Sequence, residues 1–382
     1  MLSNEDDYYR YIEYLQQQTL DEDWRPAFDS SEWKAWVAKN RERLEKTAES
    51  TAGVDGPSLV AHFERSVQGF TPTTQFELPT TKAIFEPILS DVKQTAAKLG
   101  IQPVRPIEIA TSTDSCASPA SRPTTTDHLL FIGLGTSSFC NYWAKCITAV
   151  NRAIAPAMGF RRVESAKDLE RVFRQDPSGI LLAARLGLYY AVFGTMIGFG
   201  EVQQPETYSP YRLQLLHAME VFAVAHEYAH FVSEERIPQF TGSLDPSQSR
   251  QLEFFCDELG LVISRECESA RNNYLLFAGV GALVFFRAIQ VCESVRELLV
   301  NSGLKDVCQK KTSDSHPFPA ERIVAIKSQV CTKTAPDQQL EVKQFIDELR
   351  HNSGWARFRG GRRRQLCVSS VTVTGPKWSR AT

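Results

Sequence analysis

Residues 209–236 read SPYRLQLLHAMEVFAVAHEYAHFVSEER, and this stretch decides the fold. Pro210 suits the first turn of a helix that is capped by Ser209, and apolar side chains then recur at helical spacing. The pattern predicts one long helix with a buried face. His226 and His230 are one turn apart on the same side of this helix, so both imidazoles can reach a single metal ion.

Glu227 lies between the two histidines and completes the pattern His-Glu-x-x-His. It is about 100° round the helix from His226, where its carboxylate can accept a proton from water beside the metal. Zinc suits such a site because a catalytic zinc ion takes three protein ligands and leaves a fourth position open. The alternative is coincidence: in a chain of this length the pattern arises by chance on the order of 1% of the time.

A third ligand is expected from a second helix, in which residues 253–257 read EFFCD. Glu253 and Asp257 are four residues apart, so they share a helix face that is otherwise apolar. Two carboxylates are costly to bury unless a positive group meets them. We therefore expect Glu253 to bind the metal and Asp257 to accept a hydrogen bond from the ring of His226. The alternative is an exposed acidic edge, since Glu258 is adjacent.

Together these motifs resemble those of the gluzincin metallopeptidases. The similarity is greatest to the compact branch that includes the HtpX-like proteases and the Lit phage-exclusion peptidase. Residues 313–323, SDSHPFPAERI, are similar to the Ser/Thr-x-His-Pro-x-x-x-x-Arg-Ile segment of the HtpX-like group. The resemblance covers about residues 209–325.

The resemblance implies a role for each residue that matches a family motif. The Zn²⁺ ligands would be His226, His230 and Glu253, with Glu227 as the general base and Asp257 in a supporting position.

Two further residues are assigned to the site by the resemblance alone. It implies that His316 and Arg322 lie near the cleft, where they would help to hold the substrate or the oxyanion. His316 is given a catalytic role and Arg322 a supporting one. The alternative for His316 is a cap before a helix that begins with proline. Cys256 departs from the family pattern, in which alanine is usual at this position.

The whole chain predicts a mainly helical α+β protein. We expect a compact gluzincin-like core, in which a small β-sheet packs on the two zinc-bearing helices. Short apolar runs at 107–110 and 129–132 predict strands. Between them, residues 111–127 hold nine Ser or Thr and two Pro, which predicts a mobile loop. The expected domains are an N-terminal helical region over 1–105, a metallopeptidase-like domain over 106–350 and a basic disordered tail over 351–382.

Composition and charge indicate a globular protein and argue against a nucleic-acid binder. Of the 382 residues, 42% are hydrophobic and 23% are charged, which is typical of a soluble globular protein with a sizeable core. The net charge of −2 argues against a nucleic-acid binder, although residues 350–382 carry eight basic side chains and no acidic one. Nine cysteines without a Cys-x-x-Cys pair favour reduced thiols in the cytoplasm.

Two uncharged runs are candidates for membrane spans. Residues 186–200 and 274–286 comprise 15 and 13 residues. A span needs about 20 predominantly apolar residues. Both runs are also flanked by charged side chains, so we expect buried helices and no membrane span.

These features predict a cytoplasmic zinc metallopeptidase, a hydrolase that cleaves peptide bonds of a protein or peptide substrate. Its role could be regulatory or in phage defence. Two alternatives stay open. One is a non-catalytic protein that a metal stabilises for interaction with partners, and the other is a membrane-associated quality-control protease of the HtpX-like kind. The sequence predicts no oligomeric state.

Overall fold

The structure is a computed structural model. The structure describes residues 5–20, 70–124, 126–158, 166–202, 209–307 and 317–330, together with scattered positions between 35 and 68. The predicted basic tail over 351–382 lies outside the described residues.

Helices dominate the described residues, and one small sheet accompanies them, so the expected mainly helical α+β class is confirmed. The helices are α1 (Glu5–Gln18), α2 (Pro79–Leu99), α3 (Leu134–Met158), α4 (Ala166–Gln175), α5 (Ser178–Phe193), α6 (Ser209–Arg236), α7 (Pro246–Glu266), α8 (Tyr274–Phe277), α9 (Val280–Asn301) and α10 (Pro319–Val330). The strands are β1 (Ile107–Thr111), β2 (Ala120–Pro123) and β3 (His128–Ile132).

The sheet has the order β1-β3-β2, with β1 parallel and β2 antiparallel to the central strand β3. Strand β2 lies inside the stretch 111–127, where the sequence predicts a loop. The N–H of Thr124 donates to the carbonyl of Asp127 at 2.8 Å, and this bond holds the end of β2 beside the start of β3. An edge strand does not require an apolar run, so the composition of this stretch gave no indication of β2.

Both faces of the sheet are covered. On one face, Leu130 and Ile132 join the core formed by α2, α6 and α7. On the other face, Leu129 and Phe131 pack with Ile12 of α1. Strand β3 is fully buried and apolar except for His128, which follows from its position between two layers.

Helix α2 links the N-terminal part of the chain to the later helices. It ends at Gly100, whose left-handed φ of 70° turns the chain so that the N–H of Ile101 donates to the carbonyl of Ala96 at 2.9 Å. Its buried face packs on α6 and α7. The core formed by α2, α6 and α7 therefore includes residues on both sides of the domain boundary that the sequence predicts at residue 105.

Helices α6 and α7 lie side by side and carry the predicted metal ligands. A capping box fixes the start of α7: the Asp245 side chain accepts from the N–H of Gln248, and the Gln248 side chain accepts from the N–H of Asp245. Gly260 faces α6, and a Cβ there would lie 2.9 Å from both Cα and N of His226. This close approach requires glycine.

Neither uncharged run forms one long helix. Helix α5 ends at Phe193, and Gly194 follows with a left-handed φ of 70°. The second run is divided at Gly279, also left-handed, between α8 and α9. Among the described residues, no helix combines the length and the apolar composition that crossing a bilayer requires.

Candidate metal centre

His226, His230 and Glu253 converge between α6 and α7. The Nε2 atoms of the two histidines are 3.3 Å apart. Oε2 of Glu253 lies 3.5 Å from Nε2 of His226, and Oε1 lies 3.7 Å from Nε2 of His230. One donor atom from each residue falls within 4.8 Å of the others, so the group could hold a metal ion, as the sequence predicts.

The donor set and its enclosure fit a divalent transition metal. His226 and Glu253 are buried, and His230 is half-buried. Two imidazole nitrogens and one carboxylate oxygen are the ligands that such ions accept at catalytic sites. Three ligands also leave coordination positions for water or substrate.

The two histidines differ in proton affinity. Burial alone would lower the pKa of His226, but the nearby carboxylates of Asp257 and Glu253 raise it to about 9. Burial lowers the pKa of His230 to about 4. Burial also disfavours ionisation of Glu253, yet its contact with His226 and the charges around it hold its pKa below the usual range. A metal ligand must be deprotonated, so metal binding should release the proton of His226.

Glu227 is buried beside these ligands, with 7% of its surface exposed. Burial raises its pKa to about 7, while the charge of His226 and the hydroxyl of Ser121 favour the ionised carboxylate. A carboxyl group with a pKa near neutrality can both take up and release a proton under physiological conditions. Glu227 therefore has the proton affinity of a general base.

Asp257 lies behind His226, on the side of the ring away from the metal group. Its Oδ1 is 3.1 Å from Nδ1 of His226, but the contact lacks the geometry of a hydrogen bond, so the hydrogen bond that the sequence predicts stays a prediction. Arg322 of α10 makes a bidentate contact with the same carboxylate: its Nε donates to Oδ2 at 2.7 Å and its Nη2 donates to Oδ1. Its guanidinium also lies over the ring of Phe286, 4.1 Å from the ring centre. A substrate contact for Arg322 stays a prediction.

Two other residues singled out by the sequence, His316 and Cys256, are not among the described donors of this group. His316 lies outside the described residues. Cys256 is one of six free cysteines that the structure describes, and its Sγ is 4.0 Å from the hydroxyl of Ser233. Burial raises the pKa of the Cys256 thiol well above its ordinary value. The donor atoms that could share one ion come from His226, His230 and Glu253, and Cys256 is not among them.

Three residues of the site are absent from the sequence-based prediction. Gly260 brings α7 close to His226, and a glycine within a helical pattern was its only signal. Ser121 of β2 hydrogen-bonds to Glu227, but it lay in the predicted loop. Phe286 of α9 lies under Arg322, and nothing in its local sequence indicates this.

The structure thus brings six of the seven predicted site residues together from three helices, α6, α7 and α10. Glu227 and the three candidate ligands form the centre, and the Asp257–Arg322 pair encloses it from behind. Comparison of the chain with protein-family models, with curated proteins and with solved structures gave no match.

Proposed function

We propose that this protein is a zinc-dependent endopeptidase of the gluzincin type, which hydrolyses peptide bonds in a protein substrate. The observation that carries the proposal is the buried Glu227 next to the convergent donors His226, His230 and Glu253. A purely structural metal site needs no base and usually fills its fourth position with a protein ligand.

Zinc is the metal that this donor set favours. Two imidazoles and one carboxylate are typical of hydrolytic zinc sites, and these are the donors that converge here. When bound, zinc would polarise the peptide carbonyl and make a water molecule more acidic.

Proton transfer is assigned to Glu227. With a pKa of about 7, its carboxylate can accept the proton of the attacking water and later deliver it to the leaving amine. Asp257 keeps Nδ1 of His226 protonated and thereby directs the lone pair of Nε2 toward the metal group.

Strand β2 offers a place for an extended peptide. Within the described part of the chain it is an edge strand, and its Ser121 hydrogen-bonds to Glu227. The Thr124–Asp127 hydrogen bond fixes the register so that the backbone N–H of Ser121 points away from β3. Pro123, the next residue facing that edge, has no N–H. A substrate backbone could therefore accept one hydrogen bond from β2, beside the proposed base.

The test compares the parental protein with Glu227→Gln. The variant should keep one zinc per chain and the parental melting temperature, because glutamine is nearly isosteric with glutamate. Its cleavage rate should fall by about 10²–10⁴-fold, since an amide cannot accept the water proton. Cleavage would be measured as new N-termini in a mixture of peptides derived from a proteome.

Glu220→Gln supplies a matched control on the same helix. Burial raises the pKa of Glu220 to about 8, so its carboxyl is largely neutral at pH 7 and the amide replaces it closely. This variant should retain parental cleavage. His230→Ala should lose stoichiometric zinc. Full zinc content in His230→Ala would contradict the proposed metal site. Equal cleavage by the parent and by Glu227→Gln would contradict the proposed role of Glu227 as the base.

A further inference from the structure

Residues 186–200, the first uncharged run, are not buried as a whole, which corrects the expectation from the sequence. Together with the start of α5, this run places five large apolar side chains at the surface, and 38–56% of each is exposed. The other large apolar side chains that are exposed in the described residues occur singly or in pairs along the chain. Such a concentration is typical of a surface that binds a partner. The five residues are Ile180, Leu181, Leu188, Phe193 and Ile197.

Most of this surface is one face of α5. Its exposed apolar positions follow helical spacing, so they lie side by side along the helix. Elsewhere on the helix, Gly179 packs against α3 and Gly187 packs against α9. Helix α5 is therefore held in the fold by its other sides, while this face meets no other element of the described chain. The positions of the face are Ile180, Leu181, Ala184 and Leu188.

The segment after α5 extends the apolar face and is fixed in place by tyrosine side chains. The hydroxyl of Tyr189 donates to the carbonyl of Ile197 at 2.9 Å, and the hydroxyl of Tyr142 donates to the carbonyl of Gly200 at 2.8 Å. The ring of Phe193 contacts that of Tyr189, with 4.5 Å between the ring centres. Aromatic rings with a polar tip are common where a protein meets the boundary of a bilayer.

The charges on the helices around this face have one sign. Lys145 and Arg152 of α3 and Arg185 of α5 are the charged residues of these two helices, which contain no Asp or Glu. The guanidinium of Arg185 lies beside the apolar face, 5.4 Å from the centre of the Phe199 ring. The neighbouring helices do not reverse this sign, since an arginine pairs with each acidic residue of α4 and two arginines match the two acidic residues of α9. The face therefore favours an anionic partner.

This positive charge disfavours the two partners that the chain itself could offer. A second copy bound through the same face would bring like charges together. Residues 350–382 carry eight basic side chains and no acidic one, so they would be repelled in the same way. An anionic lipid surface suits both properties of the face. Apolar side chains enter the boundary between head groups and acyl chains, while lysine and arginine contact the head groups.

We propose that the exposed face of α5, together with residues 193–199, binds the surface of a membrane that contains anionic lipids. The contact is peripheral: α5 lies along the membrane surface, and its apolar face enters the boundary region. This inference rests neither on the metal site nor on peptidase activity, so the two proposals can fail separately.

The experiment measures co-sedimentation of the full chain with lipid vesicles. Vesicles of phosphatidylcholine that contain phosphatidylglycerol should bind the protein about tenfold more tightly than vesicles of phosphatidylcholine alone, because each basic side chain near an anionic surface strengthens binding. Added salt should weaken this binding without abolishing it, since salt screens the charges but leaves the apolar contact.

Leu188→Glu tests the apolar face directly. It should weaken binding to the anionic vesicles about tenfold or more, because burial of a leucine side chain is lost. Leu188 is exposed, so the melting temperature should stay parental. Tyr14→Glu is the matched control, since Tyr14 is also an exposed apolar residue on a helix, but α1 packs in a different core from α5. It should bind the vesicles as the parent does.

Leu188→Ser separates the apolar face from other sources of binding, because it changes no charge. It should weaken vesicle binding severalfold. Parental binding by Leu188→Ser would assign the interaction to basic residues elsewhere, such as those of 350–382, and would overturn the inference. A dimeric parent that becomes monomeric in Leu188→Glu would assign the face to a second copy and would overturn it too. So would a parent that binds neither kind of vesicle.

Discussion

At Gly260, the lack of a side chain sets how closely the two ligand-bearing helices approach. A Cβ at this position would lie 2.9 Å from Cα and N of His226, which are backbone atoms and cannot rotate away. Gly260→Ala should therefore separate α6 from α7. We expect overpacking to lower the free energy of unfolding by about 1–3 kcal/mol, more than the helix propensity of alanine returns.

The same substitution should weaken zinc binding, because Glu253 and His226 are placed by this approach. Gly187→Ala is the control: its Cβ would meet Cγ2 of Val295 at 3.0 Å, and that methyl group can shift. Chemical denaturation and zinc titration would compare the two variants. Equal effects would show that the close contact at His226 does not define the metal group.

At the scale of one element, strand β2 connects the sheet to the proposed base through Ser121. Its hydroxyl favours the ionised form of Glu227, whose pKa is about 7. Ser121→Ala removes this stabilisation and should raise the pKa of Glu227. Because the base acts when it is ionised, the acidic limb of kcat/KM should move to higher pH.

The cleavage rate of Ser121→Ala should therefore fall severalfold at pH 6 and stay close to the parental rate at pH 9. Ser118→Ala, at an exposed position three residues earlier, should leave the profile unchanged. A rate that drops equally at both pH values would assign Ser121 to peptide binding or to folding of β2 rather than to the proton affinity of Glu227.

The elements that sequence analysis predicts best are those whose signals are local. Helix α6 has its periodicity, α2 ends at Gly100, and the apolar runs give β1 and β3. Strand β2 was missed because its formation depends on pairing with β3, and its Ser- and Pro-containing sequence has no strand pattern of its own. Local composition cannot report a partner strand.

The same distinction applies to the site. His226, Glu227 and His230 follow from spacing within one helix, and the pair Glu253 and Asp257 follows from spacing within another. The approach of α6 to α7 depends on tertiary packing, as does the contact of Arg322 with Asp257 across 65 residues of sequence. Only the resemblance indicated that Arg322 belongs near the metal group, and it did not indicate that the guanidinium faces the ligands.

At the scale of the whole molecule, the sheet separates the ligand-bearing helices α6 and α7 from α1. A buried network of polar side chains connects α1 to the sheet. Nε2 of Gln16 donates to Oε1 of Glu77 at 3.1 Å and to the carbonyl of Thr111 at 3.0 Å. Oε1 of Gln16 accepts from the hydroxyl of Thr74 at 2.6 Å. Glu77 in turn accepts from both the N–H and the hydroxyl of Thr111. The side chain of this one α1 residue thus pairs with groups from the segment before α2 and from β1.

Gln16→Ala should consequently destabilise the whole chain without affecting the metal group. It leaves buried polar groups of Glu77 and Thr74 without their partner, which costs about 1–3 kcal/mol in the free energy of unfolding. Gln17→Ala, at the adjacent exposed position, should change stability by less than about 0.5 kcal/mol. Zinc affinity should be parental in both variants, because α1 packs on the sheet face opposite the ligand-bearing helices. Weaker zinc binding in Gln16→Ala alone would show that the packing of α1 on the sheet affects the position of α6 and its metal ligands.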